Sequence, residues 1–357
     1  MFTSSLNLLV GTLTCGMTTT AGRRRRGPSI EDVARLAGVS AQTVSRVSTG
    51  AARVSEDTRV RVVAAMDQLG YSPNHAARAL RNGAFGTIGL LAHRFERTGE
   101  ALTTEGVIEA AQAQDYAVTV VGVRHAAATD WESAALLLTH QAIDGLIVIR
   151  AEEATPESLA LPAGMAVVVS DSRLVGHYPA VVADQVQGTF DAVGHLLGLG
   201  HRTVHHIAGP ADSEPANVRV ASWQRCLEGA GIVAPKLWRG DWTAASGYRI
   251  GLEVASDQAV TAVYCANDEM ALGFMRALHE RGRRVPQDVS VVGFDGIALS
   301  EYAYPPLTTV KQDFHTIGHE LVRILLEQLR SQARPSQERV LVPTELIVRG
   351  TTAPPRS

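Results

Sequence analysis

Hydrophobic and polar residues alternate in two different ways along this chain. Between about residues 29 and 70, apolar residues recur at the spacing of three and four that predicts amphipathic helices. From Thr87 onward, short continuous runs of Val, Ile, Leu and Ala alternate with helical stretches. Runs without polar alternation are typical of strands buried on both faces, in parallel sheets covered by helices. The two patterns predict a small all-α domain followed by a larger α/β region.

Three short helices are predicted in the N-terminal region, each with residues that can begin or end it. Ser29, Ser40 and Ser55 are N-cap candidates, because a serine side chain can accept a backbone hydrogen bond there. Gly38 and Gly70 can take the positive φ of a tight turn or a helix end. The apolar positions of these helices are Val33, Ala34, Ala37, Val44, Val47, Val62, Val63, Met66 and Leu69.

The first two helices are joined by the sequence AGVS at Ala37–Ser40, which is typical of a helix-turn-helix. Any small three-helix bundle shows the same spacing, so charge is needed to separate the two interpretations. Residues 1–85 carry eleven arginines against five acidic residues, whereas the whole chain has a formal net charge of −3. A basic head on an acidic body favours a polyanionic partner. We therefore favour DNA binding by the head.

The α/β region is long enough for two lobes. Its predicted strands are Thr87–Ala92, Ala117–Val123, Gly145–Ile149, Ala166–Ser170, Val204–Ala208, Thr261–Ala266 and Val289–Phe294. About 260 residues of this kind favour two stacked α/β lobes over one sheet. Such sheets bind small ligands at the carboxyl ends of their strands, in the crevice between lobes.

Composition excludes several classes of protein. Hydrophobic residues make up 45% and charged residues 19%, which is a globular composition, and no apolar run reaches the roughly 18 residues of a membrane span. The scattered cysteines Cys15, Cys226 and Cys265 indicate no disulfide framework, so we expect a cytoplasmic protein. Arg23–Arg26 follow the only early apolar run, whereas a signal peptide has its basic residues first. We expect residues 1–27 to be a disordered extension, with Met17 an alternative start.

Signatures of catalysis and of metal binding are missing from the sequence. It contains no Walker loop, no GxSxG and no paired catalytic carboxylates. The one local histidine group comprises His201, His205 and His206, and strand alternation sends the last two to opposite faces of a sheet. We therefore expect no enzymatic activity, no metal and no cofactor.

Longer stretches resemble the LacI (lac repressor) family of transcriptional regulators. IEDVARLAGVSAQTVSRV at Ile30–Val47 resembles that family's DNA-binding head, and Arg53–Leu80 resembles its third helix and hinge. Further blocks follow in the family's order at Gly240–Tyr248, Ala266–Leu278, Asp288–Gly296 and Pro305–Phe314. The resemblance covers roughly residues 28–351. It implies an all-α helix-turn-helix head joined to a two-lobed α/β sensor of the periplasmic-binding-protein type.

The resemblance also implies domain limits. The expected segments are the DNA-binding domain at 28–72, the hinge helix and linker at 73–85, the effector-binding domain at 86–351 and a tail at 352–357. One lobe would comprise about 86–184 and 312–327, and the other about 185–311 and 328–351. The closing residues RGTTAPPRS contain no leucine heptad, so we expect a homodimer held through both lobes.

Residues of the second helix are assigned to DNA by the resemblance. Gln42 can pair with an adenine edge, and Arg46 can offer a bidentate fork to guanine. Ala41 stands where a tyrosine occurs in the family, and its methyl group can contact a thymine methyl but cannot hydrogen-bond. Thr43 and Ser45 are expected to contact phosphates, which position the helix without specifying sequence.

A hinge helix is implied at Asn74–Arg81. A helix this short is not stable alone, because its nucleation is costly. In the family it folds when two copies meet on DNA, where Asn74 belongs to the contact segment. Leu80 matches the leucine that wedges into the minor groove and kinks the duplex.

The family's sugar contacts fall on five residues of the sensor. A sugar offers hydroxyls in fixed directions and apolar C–H faces, so its site needs bidentate polar groups and an aromatic surface. Arg219, Asn267 and Asp295 match the hydroxyl-binding positions. Trp242 and Phe314 match aromatic positions that face the ring.

The first lobe departs from the family pattern. Asp171 matches an acidic ligand contact, but Ala183 stands where a ligand-facing phenylalanine is known, and His93–Thr104 bears little likeness to its counterpart. An aglycone or a second sugar unit would lie on this side.

These features predict a homodimeric repressor that is released from a palindromic operator by a small sugar, with a galactoside as the first candidate. One alternative is a regulator that needs a purine or a phosphorylated metabolite as corepressor. Another is a sugar-binding protein without DNA activity, which would need an export signal and would lack the head.

Overall fold

The computed structural model describes residues 28–48, 54–71, 84–123, 128–151, 154–159, 161–331 and 338–356. The chain divides near His75 into two units, and each is described by itself. The predicted extension at residues 1–27 and the hinge positions Asn74 and Leu80 lie outside the described residues.

The first unit is a bundle of three helices, α1 (Ile30–Ala37), α2 (Ala41–Ser48) and α3 (Glu56–Leu69). As predicted, Ser29 caps α1: its hydroxyl accepts from the Asp32 amide, and the Asp32 carboxylate accepts from the Ser29 amide at 2.9 Å. Ser40 caps α2 in the same way, since its hydroxyl accepts from the Thr43 amide at 3.2 Å. The predicted side-chain cap at Ser55 is wrong, because that hydroxyl donates to the Thr58 hydroxyl at 2.9 Å and no backbone amide reaches it.

The core of this bundle is small and aliphatic. Its buried residues are Val33, Ala34, Ala37, Val44, Val47, Val62 and Ala65. Gly38 and Gly70 end α1 and α3 with φ of 66° and 61°, in the left-handed region that glycine tolerates. The turn at Gly38 fixes the path from α1 to α2.

The second unit contains two lobes, each built on a six-stranded sheet. The first lobe consists of β1 (Thr87–Ala92), α4 (Thr98–Gln112), β2 (Ala117–Gly122), α5 (Ala128–Thr139), β3 (Gly145–Ile149), α6 (Pro156–Leu159), β4 (Ala166–Ser170), β5 (Ala180–Ala183), α12 (Phe314–Ser331) and β11 (Arg339–Val342). Its strands run parallel in the order β11-β5-β4-β3-β1-β2. The strands β3, β4 and β5 are buried along their whole length, as runs without alternation predict.

The second lobe has the same architecture. It consists of α7 (Gln185–Gly198), β6 (His205–Ala208), α8 (Glu214–Gly229), β7 (Leu237–Arg239), α9 (Ala244–Val254), β8 (Ala262–Cys265), α10 (Asp268–Glu280), β9 (Ser290–Asp295), α11 (Ala298–Tyr302), β10 (Thr308–Gln312) and β12 (Thr344–Ile347). Its strand order is β12-β10-β9-β8-β6-β7, with only β12 antiparallel to its neighbour.

The chain passes between the lobes three times, after β5, after β10 and after β11. The predicted return to the second lobe at residue 328 is wrong. The apolar face of α12, including Leu325 and Leu326, is buried in the first lobe's core, and β11 then pairs with β5 of the same lobe. The other domain limits stay predictions.

The histidines of β6 alternate across the sheet, as predicted. His206 is buried between Trp223 and Tyr264, and its Nδ1 lies 2.9 Å from the Tyr264 carbonyl oxygen. Burial lowers the pKa of His206 to about 3, so the ring is neutral at physiological pH. His205 lies on the opposite face against Trp238. No helix in the described part of the chain has both the length and the apolar composition that crossing a membrane requires.

Candidate effector cleft and DNA-recognition helix

The helix α2 presents two of the predicted base-reading residues on one face. Gln42 and Arg46 are exposed and one turn apart, while Val44 and Val47 point into the bundle core. Side chains spaced in this way can reach neighbouring base pairs when a helix lies in the major groove.

The remaining predicted residues of α2 also serve the fold of the bundle. Ala41 packs partly against the core, and the Thr43 hydroxyl lies 2.9 Å from that of Ser40. Ser45 is half-buried. The described helical segments, 28–48 and 54–71, carry four arginines and five acidic residues. The positive charge of the head therefore comes from the flanking sequence, notably Arg23–Arg26.

The carboxyl ends of the parallel strands meet at the crevice between the two lobes. Arg150 follows β3, Asp171 follows β4 and Asp295 ends β9. These residues have φ of 54°, 44° and 105°, and Trp242 has φ of 73°. Non-glycine residues rarely adopt positive φ, and such strain concentrates at binding sites. The backbone thus marks the same crevice as the resemblance does.

Arg219 of α8 is the centre of a buried network in the second lobe. Its side chain is 1% exposed. The Nε donates to the Gln185 side chain at 2.7 Å, Nη1 donates to the Ala266 carbonyl, and Nη2 lies 3.5 Å from Asp295 Oδ1. The guanidinium carbon lies 3.8 Å from the ring centroid of Phe294. The cation is therefore fixed in position before any ligand arrives.

Asp295 lies at the cavity end of this network. It also accepts from the Gln312 amide at 2.6 Å. Burial raises the pKa of Asp295 to about 6, and the nearby Glu269 carboxylate adds to this rise. The neighbouring Arg219 cation opposes it. The carboxylate is therefore mostly ionised at pH 7, where it can accept from two adjacent hydroxyls.

Asn267 and Trp242 form the other half of the second-lobe wall. Asn267 caps α10, and its Nδ2 donates to the Trp242 carbonyl at 2.9 Å and to Glu269 at 2.8 Å. The indole packs where a side chain at Gly209 would overlap it. Its Nε1 is buried and has no acceptor in the described structure.

Three of the predicted residues line one inter-lobe cavity of about 220 Å³, namely Trp242, Asn267 and Asp295. Arg219 lies directly behind Asp295. Phe314 begins α12 in the first lobe's core and packs behind Gly99 of the cavity wall, so it is not on the lining itself. Asp171 lines a neighbouring chamber. Their roles toward a ligand stay predictions.

Three further residues of the site were not anticipated from the sequence. Arg150 is 6% exposed, and its Cζ lies 5.9 Å from the centroid of the Trp242 ring across the cleft. Thr98 of the first lobe donates to Glu269 of the second at 2.6 Å. The only sequence signals were an arginine at the end of a buried strand and an acidic residue two positions after Asn267.

The first-lobe wall also contains a buried carboxylate. Glu100 is fully buried, accepts from the Arg94 amide at 2.7 Å and lies 3.5 Å from Arg97. Burial raises its pKa, although Arg150 opposes the rise. This wall is therefore built on paired charges.

A helix-turn-helix bundle followed by a two-lobed α/β unit with a polar cavity is the architecture of a DNA-binding transcriptional regulator with a small-ligand site. Residues 29–74 match the bacterial regulatory proteins of the lacI family, and residues 193–352 match the periplasmic binding protein-like domain. The chain belongs to the LacI family.

Individual relatives are similar in sequence to this chain along most of its length. The lactose operon repressor of Escherichia coli (strain K12) is 34% identical over 336 residues, 92% of either chain. The transcriptional repressor PurR of Erwinia tasmaniensis is 34% identical over 332 residues, 91% of this chain and 97% of its own. The lac repressor dimer bound to operator and the anti-inducer ONPF superposes with a TM-score of 0.83 at 33% identity, over 92% of this chain and 100% of that one. A complex of the transcriptional regulator CelR with cellobiose superposes with a TM-score of 0.68 at 31% identity, over 91% of this chain and 99% of that one.

Proposed function

We propose that this repressor binds a palindromic operator as a homodimer and is released from it by a small neutral sugar. One observation carries the proposal: the cavity combines the Trp242 indole with the side-chain amide of Asn267 and the carboxylate of Asp295. That set matches the hydroxyls and C–H faces of a sugar ring. Relatives bound to cellobiose and to ribose support the ligand class.

The charge of the cavity argues against a phosphorylated effector. Its charged lining residues are Arg94, Arg97, Arg150, Glu96, Asp241, Glu269 and Asp295. Four acidic groups stand against three arginines, and Arg219 behind Asp295 makes the two signs equal, so the cavity offers no excess of positive charge to a phosphate. A purine, as in the name of the PurR relatives, is the second candidate. Trp242 is the one aromatic residue of the described lining, which leaves a planar base without a second stacking surface.

Release from DNA would follow from a change in how the lobes are arranged. An effector can shift the equilibrium only by binding the two arrangements with different affinity, and about 1–3 kcal/mol gives a 5–150-fold effect. Contacts across the cleft, such as Thr98 with Glu269, hold the described arrangement. A ligand that occupies Asn267 and Asp295 competes with those contacts.

The test uses the full chain and inverted-repeat operators selected from a random duplex library. Fluorescence anisotropy would follow operator binding while galactosides, glucosides, pentoses and purines are added. We expect one sugar class to weaken binding and purines to have no effect. If a purine instead tightens operator binding, the effector is a corepressor and the proposed induction by a sugar is wrong.

A control separates DNA recognition from effector response. Gln42→Ala and Arg46→Ala should each weaken specific binding by about 1–3 kcal/mol while sugar binding is unchanged. If both variants bind the selected operator like the parent chain, α2 is not the reading helix.

A further inference from the structure

The three segments that pass between the lobes, after β5, β10 and β11, run side by side and are here called the crossing segments. The amide of Asp184 in the first donates to the carbonyl of Val342 at the start of the third at 2.8 Å. Gln312 at the start of the second lies opposite Thr344 at the end of the third, where β10 pairs with β12. A rearrangement of the lobes has to bend these segments, so bonds between them resist it.

A side-chain contact joins the first two crossing segments. Gln185 begins α7 directly after the first segment, and Gln312 is the last residue of β10 before the second. Both residues are buried, with 6% and 3% of their surface exposed. The Gln185 Nε2 donates to the Gln312 Oε1 at 3.2 Å. Neither residue lines the effector cavity, so the contact lies behind the site and is not part of it.

The two glutamines form a closed cycle of hydrogen bonds with Arg219 and Asp295. The Arg219 Nε donates to the Gln185 Oε1 at 2.7 Å, and the Gln312 Nε2 donates to the Asp295 Oδ1 at 2.6 Å. The Arg219 Nη2 lies 3.5 Å from the same carboxylate oxygen, which closes the cycle. Asp295 lines the effector cavity, so the cycle connects that cavity with both crossing segments.

The groups at the two ends fix the direction of each bond in this cycle. A guanidinium can only donate, and an ionised carboxylate can only accept. Gln185 must therefore turn its oxygen to Arg219, and Gln312 must turn its nitrogen to Asp295. The remaining nitrogen of Gln185 and oxygen of Gln312 then face each other as donor and acceptor. Because neither amide can reverse without losing a partner, a displacement of Asp295 is passed on to the contact between the crossing segments.

We propose that Gln185 and Gln312 are positioning residues that couple occupancy of the effector cavity to the crossing segments between the lobes. A ligand hydroxyl that donates to Asp295 draws the carboxylate toward the cavity and away from the Gln312 amide. The cycle is then weakened and the two segments are free to bend. This inference rests on the proposed function, in which an effector governs operator binding, and it adds the side chains through which the effector acts.

Gln185→Glu separates the two roles of this glutamine. The new carboxylate still accepts from Arg219 but cannot donate to Gln312, so the crossing segments lose their contact while the cation keeps its partner. Fluorescence anisotropy of the full chain measures binding to the selected inverted-repeat operator. Each protein is measured without sugar and with saturating lactose, melibiose, cellobiose, glucose, galactose or ribose.

Without sugar, Gln185→Glu should bind the operator about fivefold more weakly than the parent chain, because the arrangement that superposes on an operator-bound relative loses one hydrogen bond. With a saturating sugar that acts on the parent chain, the two proteins should bind the operator equally, since the cycle is already open. The factor by which that sugar weakens operator binding should therefore fall about fivefold. A change in sugar affinity alone leaves this factor unchanged at saturation.

Gln187→Glu is the matched control, since it makes the same change at an exposed residue of the same helix. It should leave operator binding unchanged with and without sugar. Gln312→Met keeps the test decisive if Gln185→Glu fails to fold, because it introduces no buried charge. It should lower the same factor at least as much, since it loses the bonds to both Gln185 and Asp295.

The outcomes separate this inference from the proposed function. If Gln185→Glu and Gln312→Met keep the parent's operator affinity without sugar and its full response to sugar, the inference is overturned while the proposed function stands. A loss of operator affinity that is equal with and without sugar also contradicts the inference. If no sugar of the panel acts on the parent chain, the proposed function fails. Operator affinity without sugar then still decides whether the glutamines hold the crossing segments, since an unchanged value contradicts that role.

Discussion

The two walls of the effector cavity are built differently. On the second-lobe wall, Asn267 and Asp295 lie at strand and helix ends, and their polar atoms are held by neighbours of the same lobe. On the first-lobe wall, Arg94 and Thr98 come from the segment that leads into α4 and are exposed or half-buried. Groups that are already held in place before a ligand binds suit the part of the molecule that all ligands of one class share. From this contrast we expect the second lobe to hold the ring and the first lobe to select among ligands.

Arg219→Ala should have the largest effect. The change removes the cation that fixes Asp295 and Gln185, so we expect effector affinity to fall about 100-fold or more, from the loss of two charge-assisted hydrogen bonds. Operator affinity without effector should stay nearly unchanged. Calorimetry and anisotropy measure the two quantities.

The matched control for this variant is Arg225→Ala, which removes an exposed arginine of the same helix. It should alter neither affinity. An unaltered effector response in Arg219→Ala would remove Arg219 from the site.

Lowering the pH should weaken effector binding by about tenfold between pH 7 and pH 5, because Asp295, with a pKa of about 6, then becomes protonated and loses an acceptor. Unfolding driven by Asp295 cannot cause this loss. Its folded pKa lies above the unfolded value, so its contribution to stability is present at low pH and is lost as pH rises through about 6. Asp295→Asn should bind weakly and with a flatter pH profile.

The control for the pH effect is Asp241→Asn at the exposed edge of the same cavity. Partial burial raises the pKa of Asp241, but hydrogen bonds from Thr243 outweigh it and the pKa is lowered overall. This variant should keep the parent's pH profile. A profile that persists in Asp295→Asn would assign the titration to another group.

Thr98→Val should have a moderate effect, because it removes a hydrogen bond between the walls. The described arrangement superposes on an operator-bound relative. Losing this hydrogen bond should destabilise that arrangement by about 1 kcal/mol. In the absence of effector, operator binding should then be about fivefold weaker, and a lower effector concentration should suffice to release the protein from DNA. Thr98→Ser should restore the parent's behaviour.

Thr243→Val is the matched control for the contact between walls. It removes a hydroxyl of the same cavity whose partners, Asp241 and Ser246, lie in the second lobe. If it weakens operator binding as much as Thr98→Val, the contact across the cleft has no special role.

Arg94→Ala should have the smallest effect. The side chain is about half exposed and lies 3.7 Å from Glu96, so solvent screens its charge. We expect changes below about threefold in effector affinity, with different signs for different sugars. A loss of about tenfold or more in effector affinity for every sugar would contradict the division of roles between the walls.

The sequence predicted the elements whose signal is local. The buried runs of β1, β3 and β4 were located with their observed limits, and so were the capping residues Ser29 and Ser40. The edge strand β7, with three residues, and the polar β10, TTVKQ, carry too little apolar periodicity to be recognised.

The residues of the second-lobe wall were assigned through the resemblance to the family, because they lie in or next to its sequence blocks. The first-lobe wall was not, because it depends on tertiary contacts. Thr98 and Glu269 are 171 positions apart, and the positive φ that turns Arg150 at the end of its strand has no sequence pattern.

Coupling between the effector cleft and the DNA-binding head is measured most directly through reciprocity. Sugar affinity would be determined by calorimetry for the free full chain and for the chain saturated with its operator. Thermodynamic linkage requires the operator to weaken sugar binding by the same factor as the sugar weakens operator binding, about 5–150-fold. Equal sugar affinity in the two states would contradict an effector-controlled repressor.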